Sequence, residues 1–283
     1  MRTLIFILLV LAVCWFAADC ARAAELHVPD NAVAGQPLTI NAAGSGTLYL
    51  IGPGQMIKRE FKSGSVDIKG EELRSAGRWI AIVKGDHQSQ VFWVKPGKPA
   101  NLSFLARPSR VPVARPNVIS GVTFVFDKYQ NMVIDSTPVS FKLSVGDAGS
   151  TKTVTSHAGV AWINSASAAK AGAAQFVASV GDTTVRRVVQ QVAADPCKLQ
   201  MHVAGRSGDR VTVETDPIRD CSGNPVPDGT IVTFIQTDKN GKSTVDARIK
   251  KDIARAELPA SDNATITVAA GVVLGNELHV GGR

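Results

Sequence analysis

The chain has 283 residues, a formal charge of +7, and 45% hydrophobic but only 6% aromatic content. That length allows two or three domains, each able to close its own core. Its basic residues are dispersed (Lys58-Arg59, Arg107 to Arg115, Arg186-Arg187, Lys250-Lys251) with no aromatics between them, which excludes a nucleic-acid platform and leaves an anionic envelope polymer as a contact that the charge permits.

Residues 1–23 read as an export signal. Arg2 supplies the positive start, Leu4 to Val13 the apolar run, and Ala21-Arg22-Ala23 a small-x-small cleavage site before Ala24. The run is shorter than the roughly 20 residues a membrane span requires, so the processed chain is expected not to span a membrane; an uncleaved anchor is the alternative. Cys14 and Cys20 lie in this region and fit a lipid-attachment site badly, since Val13 and Asp19 precede them. Both are expected to leave with the signal, and the charge then falls from +7 to +6.

Beyond the signal, short β-rich runs follow one another between Gly, Pro, Asn, Asp and Ser: Thr47 to Ile51, Trp79 to Lys84, Gln90 to Val94, Val122 to Phe126, Val139 to Val145, Gln175 to Val180, Val185 to Val192, Val211 to Thr215 and Thr230 to Gln236. Long helical periodicity is absent. Strands at this spacing predict an all-β chain of sandwiches. Trp79, Trp93 and Trp162 fall in strand runs and read as core or half-buried residues.

The sequence also repeats. Asp220 to Phe234 aligns without a gap on Asp127 to Phe141, an offset of 93 residues, with Asp, Asn, Val, Asp, Thr, Val and Phe recurring. Val160-Ala161 matches Ile253-Ala254 at the same offset, and Ala174 to Gly181 matches Ala264 to Gly271 at 90. The first part lacks the Asn-Pro turn but shares the closing hairpin, with Gly85-Asp86 answering Gly181-Asp182. Proline punctuates the joints at Lys95 to Pro99 and Ala194 to Cys197, and stiffens them. Three modules are expected, at 24–97, 98–194 and 195–283.

The strand-turn Gly223-Asn224-Pro225-Val226, the following Val232-Thr233-Phe234, and His157-Ala158-Gly159-Val160-Ala161 resemble elements of bacterial immunoglobulin-like domains of the invasin/intimin type. The resemblance covers roughly residues 100 to 283. It implies tandem immunoglobulin-like β-sandwiches, here without the membrane barrel of the outer-membrane adhesins.

Chemistry-bearing constellations are sparse. His27, His87, His157, His202 and His279 are scattered without metal-ligand spacing, and no nucleophile elbow or phosphate loop occurs. No catalytic residue, metal or cofactor is expected. Asp127, Asp135, Asp220 and Asp228 recur too far apart for calcium and read as turn caps. Cys197 and Cys221 are expected to form a disulfide in an oxidising compartment, stapling the last module. Arg107, Arg110 and Arg115 form the candidate partner surface, on a proline-rich stretch that reads as an edge strand. The function expected is that of a non-enzymatic envelope protein, periplasmic or at the cell surface, acting as a spacer or protein-interaction module. An accessory subunit of an envelope enzyme and a glycan- or lipid-binding adhesin are the alternatives.

Overall fold

The computed structural model describes residues 26–62, 64–85 and 89–281. The signal assigned to residues 1–23 lies outside them. Every regular element among the described residues is a strand.

The first segment carries β1 (Leu26–His27), β2 (Ala32–Val33), β3 (Leu38–Ala42), β4 (Gly46–Gly52), β5 (Gln55–Phe61), β6 (Ser65–Ile68), β7 (Gly77–Val83) and β8 (Ser89–Lys95). They form a three-stranded sheet, β1-β3-β6, and a five-stranded one, β2-β8-β7-β4-β5. Strand alternation explains the core. In β7, Trp79, Ala81 and Val83 point inward, and they join Ile40, Leu48, Leu50, Ile68 and Phe92 in one cluster. The buried indole N–H of Trp79 donates to the Ser75 carbonyl at 2.9 Å, so the large ring enters the core without an orphaned donor.

The middle segment carries β9 (Asn101–Arg107), β10 (Arg110–Pro112), β11 (Ile119–Phe126), β12 (Pro138–Val145), β13 (Ala148–Thr155), β14 (Val160–Ser165), β15 (Gly172–Val180) and β16 (Thr183–Val192). Their sheets are β10-β16-β15-β12-β13 and β14-β11-β9. Phe104 stands edge-on to Phe176 at 5.1 Å between centroids, and Phe141 lies 5.9 Å from Phe104. The proline-rich Arg107 to Pro116 stretch supplies β10, an edge strand parallel to β16, as its prolines require.

The last segment carries β17 (Met201–Ser207), β18 (Arg210–Thr215), β19 (Ile231–Asp238), β20 (Gly241–Arg248), β21 (Arg255–Pro259), β22 (Ala264–Ala270) and β23 (Val273–Val280). The sheets are β17-β18-β21 and β20-β19-β22-β23, closed over Val213, Phe234, Leu258 and Ile266. β12 with β13 and β19 with β20 form matching eight-residue hairpins, one in each repeat.

Spatial proximity gathers the chain into two compact units. Among the described residues, one holds those up to 103 with 124–137 and 156–160, and the other holds 104–123, 138–155 and those from 161 onward. The turn at Asp127 to Asn131 falls in the first unit, where it is hydrogen-bonded to Arg74, Ala76 and Gly97.

Two of the three tryptophans expected in strands depart from expectation. Trp79 is buried, but Trp93 and Trp162 are 61% and 66% exposed. Both sit at the outward phase of their strands, Trp93 directly opposite Arg78. A period of two fixes which face a residue takes only once the register is known.

Candidate functional site at the joints

The recurring Asp-x-x-x-Asn element builds a side-chain clasp, and builds it twice. At the first copy, one carboxylate oxygen of Asp127 accepts the backbone N–H of Tyr129 (2.8 Å) and Asn131 (2.9 Å). That is the turn cap expected from the sequence. The other oxygen accepts the N–H of Gly97 at 2.9 Å, on the proline-rich strap that leaves the first segment, and the Asn131 amide N–H at 2.8 Å. Asn131 in turn accepts from the Ala76 N–H (2.9 Å) and donates to the Arg74 carbonyl (2.7 Å), both in the loop before β7.

The second copy repeats this bond for bond. Asp220 accepts from the N–H of Ser222 (2.8 Å) and Asn224 (2.9 Å), and its second oxygen from Ala194 (3.0 Å), on the strap between the middle and last segments. The Asn224 amide donates to the same carboxylate at 3.0 Å. It also accepts from the Ala171 N–H (2.8 Å) and donates to the Ala169 carbonyl (2.7 Å), in the loop before β15. An amide with an N–H facing its oxygen and two acceptors facing its nitrogen admits one orientation. Each clasp thus uses one acidic and one amide side chain to hold together a turn, a strap and a loop of the preceding segment.

Burial of Asp220 works against its charge. Hydrogen bonds from the Asn224 side chain and backbone, and from the Ala194 and Ser222 backbones, outweigh that penalty and hold the carboxyl below the usual range. The clasp is strongest with the aspartate ionised.

Each joint has a second tie. At the first, Ala100 N–H donates to the Phe126 carbonyl (2.8 Å), and the Asn101 amide donates to the Asp127 carbonyl (3.1 Å). At the second, Cys197 N–H donates to the Arg219 carbonyl (3.0 Å), and Cys197 and Cys221 lie at bonding distance, 2.09 Å between sulfurs and 4.6 Å between Cα atoms. The pair therefore ties the strap to the clasp turn. Tyr129 adds packing at the first joint, where it lies against the first segment's core. Gly35, with φ +81°, lets it approach: a Cβ there would meet the Tyr129 ring at 2.5 Å.

Beside each clasp runs an open cleft. The first, about 590 Å³, is lined by Val33, Gly35, Lys98, Asp127, Lys128 and Tyr129. The second, about 340 Å³, is lined by Arg110, Arg115, Asp195, Pro196, Val226 and Thr230 among others. Two of the three candidate arginines, Arg110 and Arg115, come together here. Arg107 ends β9 and is not among the residues of that cleft. Among the described residues no group of three or more His, Cys, Asp or Glu side chains is placed to hold a metal ion.

Sequence reasoning found the aspartates and missed what the asparagines do. Asn131 and Asn224 read as turn residues, yet their amides point out of the turn toward the preceding segment. The signal was their recurrence at matching positions of the repeat. Asp135 and Asp228 take no part in the clasp.

No family model matches the chain, and no curated protein matches it. Its fold is similar to that of FdeC, described as a broadly conserved Escherichia coli adhesin (TM-score 0.65, 13% identity, 92% of this chain and 98% of that one). It is also similar to that of InvD from Yersinia pseudotuberculosis (TM-score 0.54, 12% identity, 92% and 98%). The resemblance to bacterial immunoglobulin-like domains is thereby borne out at the level of fold.

Proposed function

We propose that this chain is an exported, non-enzymatic envelope protein in which three immunoglobulin-like modules, 24–97, 98–194 and 195–283, act as a stiffened spacer and protein-interaction unit. The observation that carries the reading is the clasp repeated at both joints. Two modules on a free linker need no buried carboxylate–amide pair between them. Recurrence of the pair at both joints favours a stiffened connection over a free linker. The similarity of fold to an adhesin supports the protein-interaction part of the reading.

In this reading the Arg110/Arg115 cleft is the protein-binding surface. Two arginines lining one cleft with Pro112, Pro196 and Val226, against a single acid, Asp195, suit an acidic segment of a partner. The test is fractionation of the native cell followed by capture on the exported chain. The expected result is a chain lacking residues 1–23 in the envelope, with a specific partner that is lost with Arg110→Glu/Arg115→Glu. An unprocessed chain in the cytoplasm, or turnover of a substrate by the purified protein, contradicts the proposal.

A further inference from the structure

The outward face of the first segment's five-stranded sheet carries an apolar row for which the spacer role has no use. Register places Met56 opposite Ile51, Ile51 opposite Ile80 and Ile80 opposite Val91, so one continuous row crosses β5, β4, β7 and β8. With strands about 4.8 Å apart the row is about 14 Å long. Met56 is 66% exposed, Val91 46% and Ile51 43%, and Trp93 flanks the row on β8. Tyr49 and Ile82 extend it on the other side.

Cations border this face. Arg78 lies opposite Trp93, and Lys95 follows on the same face of β8. Neither makes an ion pair among the described residues. Lys58, opposite Tyr49, is already engaged by Glu60 at 3.8 Å. The face thus offers aliphatic and indole surface with net positive charge at its margin.

From this geometry we infer that the first module's outer sheet face docks on an anionic lipid surface. Charge and area select that occupant. A second copy would bring Arg78 and Lys95 against their own kind. The exposed apolar area, on the order of 400 Å², is also about half of what one partner buries in a stable protein–protein interface. A bilayer interface requires neither complementarity nor a second patch. Indole and tyrosine rings sit at headgroup depth, aliphatic side chains just below, and Arg and Lys reach anionic headgroups. The inference stands apart from the joint clasps and from the Arg110/Arg115 cleft.

The test is flotation of the exported chain with vesicles of equal phosphatidylglycerol and phosphatidylcholine, and with phosphatidylcholine alone. Binding to the anionic vesicles is expected, weakening with salt and falling about fivefold with Arg78→Gln. Trp93→Ser with Met56→Ser should reduce it at least tenfold, at unchanged melting temperature because both positions are exposed. A further readout is a blue-shifted emission on vesicles that is lost in Trp93→Phe. Absence of binding at millimolar lipid, binding equal in the double variant, or a concentration-dependent dimer abolished by Trp93→Ser would each overturn the inference.

Discussion

Replacing Asn224 by alanine removes the side chain that joins the middle and last segments while leaving the strands intact. Four hydrogen bonds go with it: two across the joint, to Ala171 and Ala169, and two to the Asp220 carboxylate. The two joint bonds are between neutral groups and contribute about 1 kcal/mol each. The contacts to Asp220 share one donor group and together contribute about 1.5 kcal/mol as a charge-assisted bond. Ala169 and Ala171 are open enough for water to replace part of the loss. The net cost is about 2–3 kcal/mol, and for a module of this size that corresponds to a fall in Tm on the order of 10 °C. Differential scanning calorimetry on the full chain reads it directly. The last module's transition should drop and separate from that of the middle one, because the lost bonds are the ones that couple them. A transition that stays within about 2 °C of the parent refutes the reasoning, since it would mean that water serves these groups as well as the amide does.

Other expected outcomes follow from the same geometry. The Asp220 carboxyl binds its proton more weakly folded than unfolded, so its contribution is full above about pH 4 and is lost as pH falls through the lower folded value; Asp220→Asn should flatten the acid limb of a Tm-against-pH curve. Gly35→Ala adds a Cβ that meets the Tyr129 ring and forces a residue with a side chain to φ +81°. It should destabilise by about 2 kcal/mol or more in denaturant melts, and Tyr129→Ala should relieve part of that cost. Breaking Cys197–Cys221 by Cys221→Ser opens a loop spanning a sequence separation of 24 and should cost about 3 kcal/mol. Thiol titration of the denatured, non-reduced parent should find neither cysteine free.

Much of the fold was legible because strand alternation and turn chemistry are local. Val139 to Val145 alternates cleanly and Gln175 to Val180 is a short apolar run, and they emerged within β12 and β15, with Gly181 taking a positive φ in the turn that follows. Ala148–Thr155 escaped notice as a strand because it is an edge with nearly every side chain exposed, so no apolar phase marks it. The outward placement of Trp93 and Trp162 was hidden for a related reason: register decides it, and register is a property of pairing between strands. The joints were the least legible part. Asp127 and Asp220 announced a turn, but the partners of Asn131 and Asn224 lie more than fifty residues away in sequence. Nothing local distinguishes an asparagine that finishes a turn from one that clasps a neighbouring module.

The measurement closest to the central claim is the distribution of distances across the second joint. Spin labels at positions 152 and 242, on β13 and β20, can be introduced through an unnatural amino acid that leaves Cys197 and Cys221 untouched. A clasped joint predicts one narrow distance peak in the parent, broadened in Asn224→Ala and broadened again when Asp220 is also replaced. A parent distribution already as broad as that of the double variant would contradict a clasp that fixes the modules.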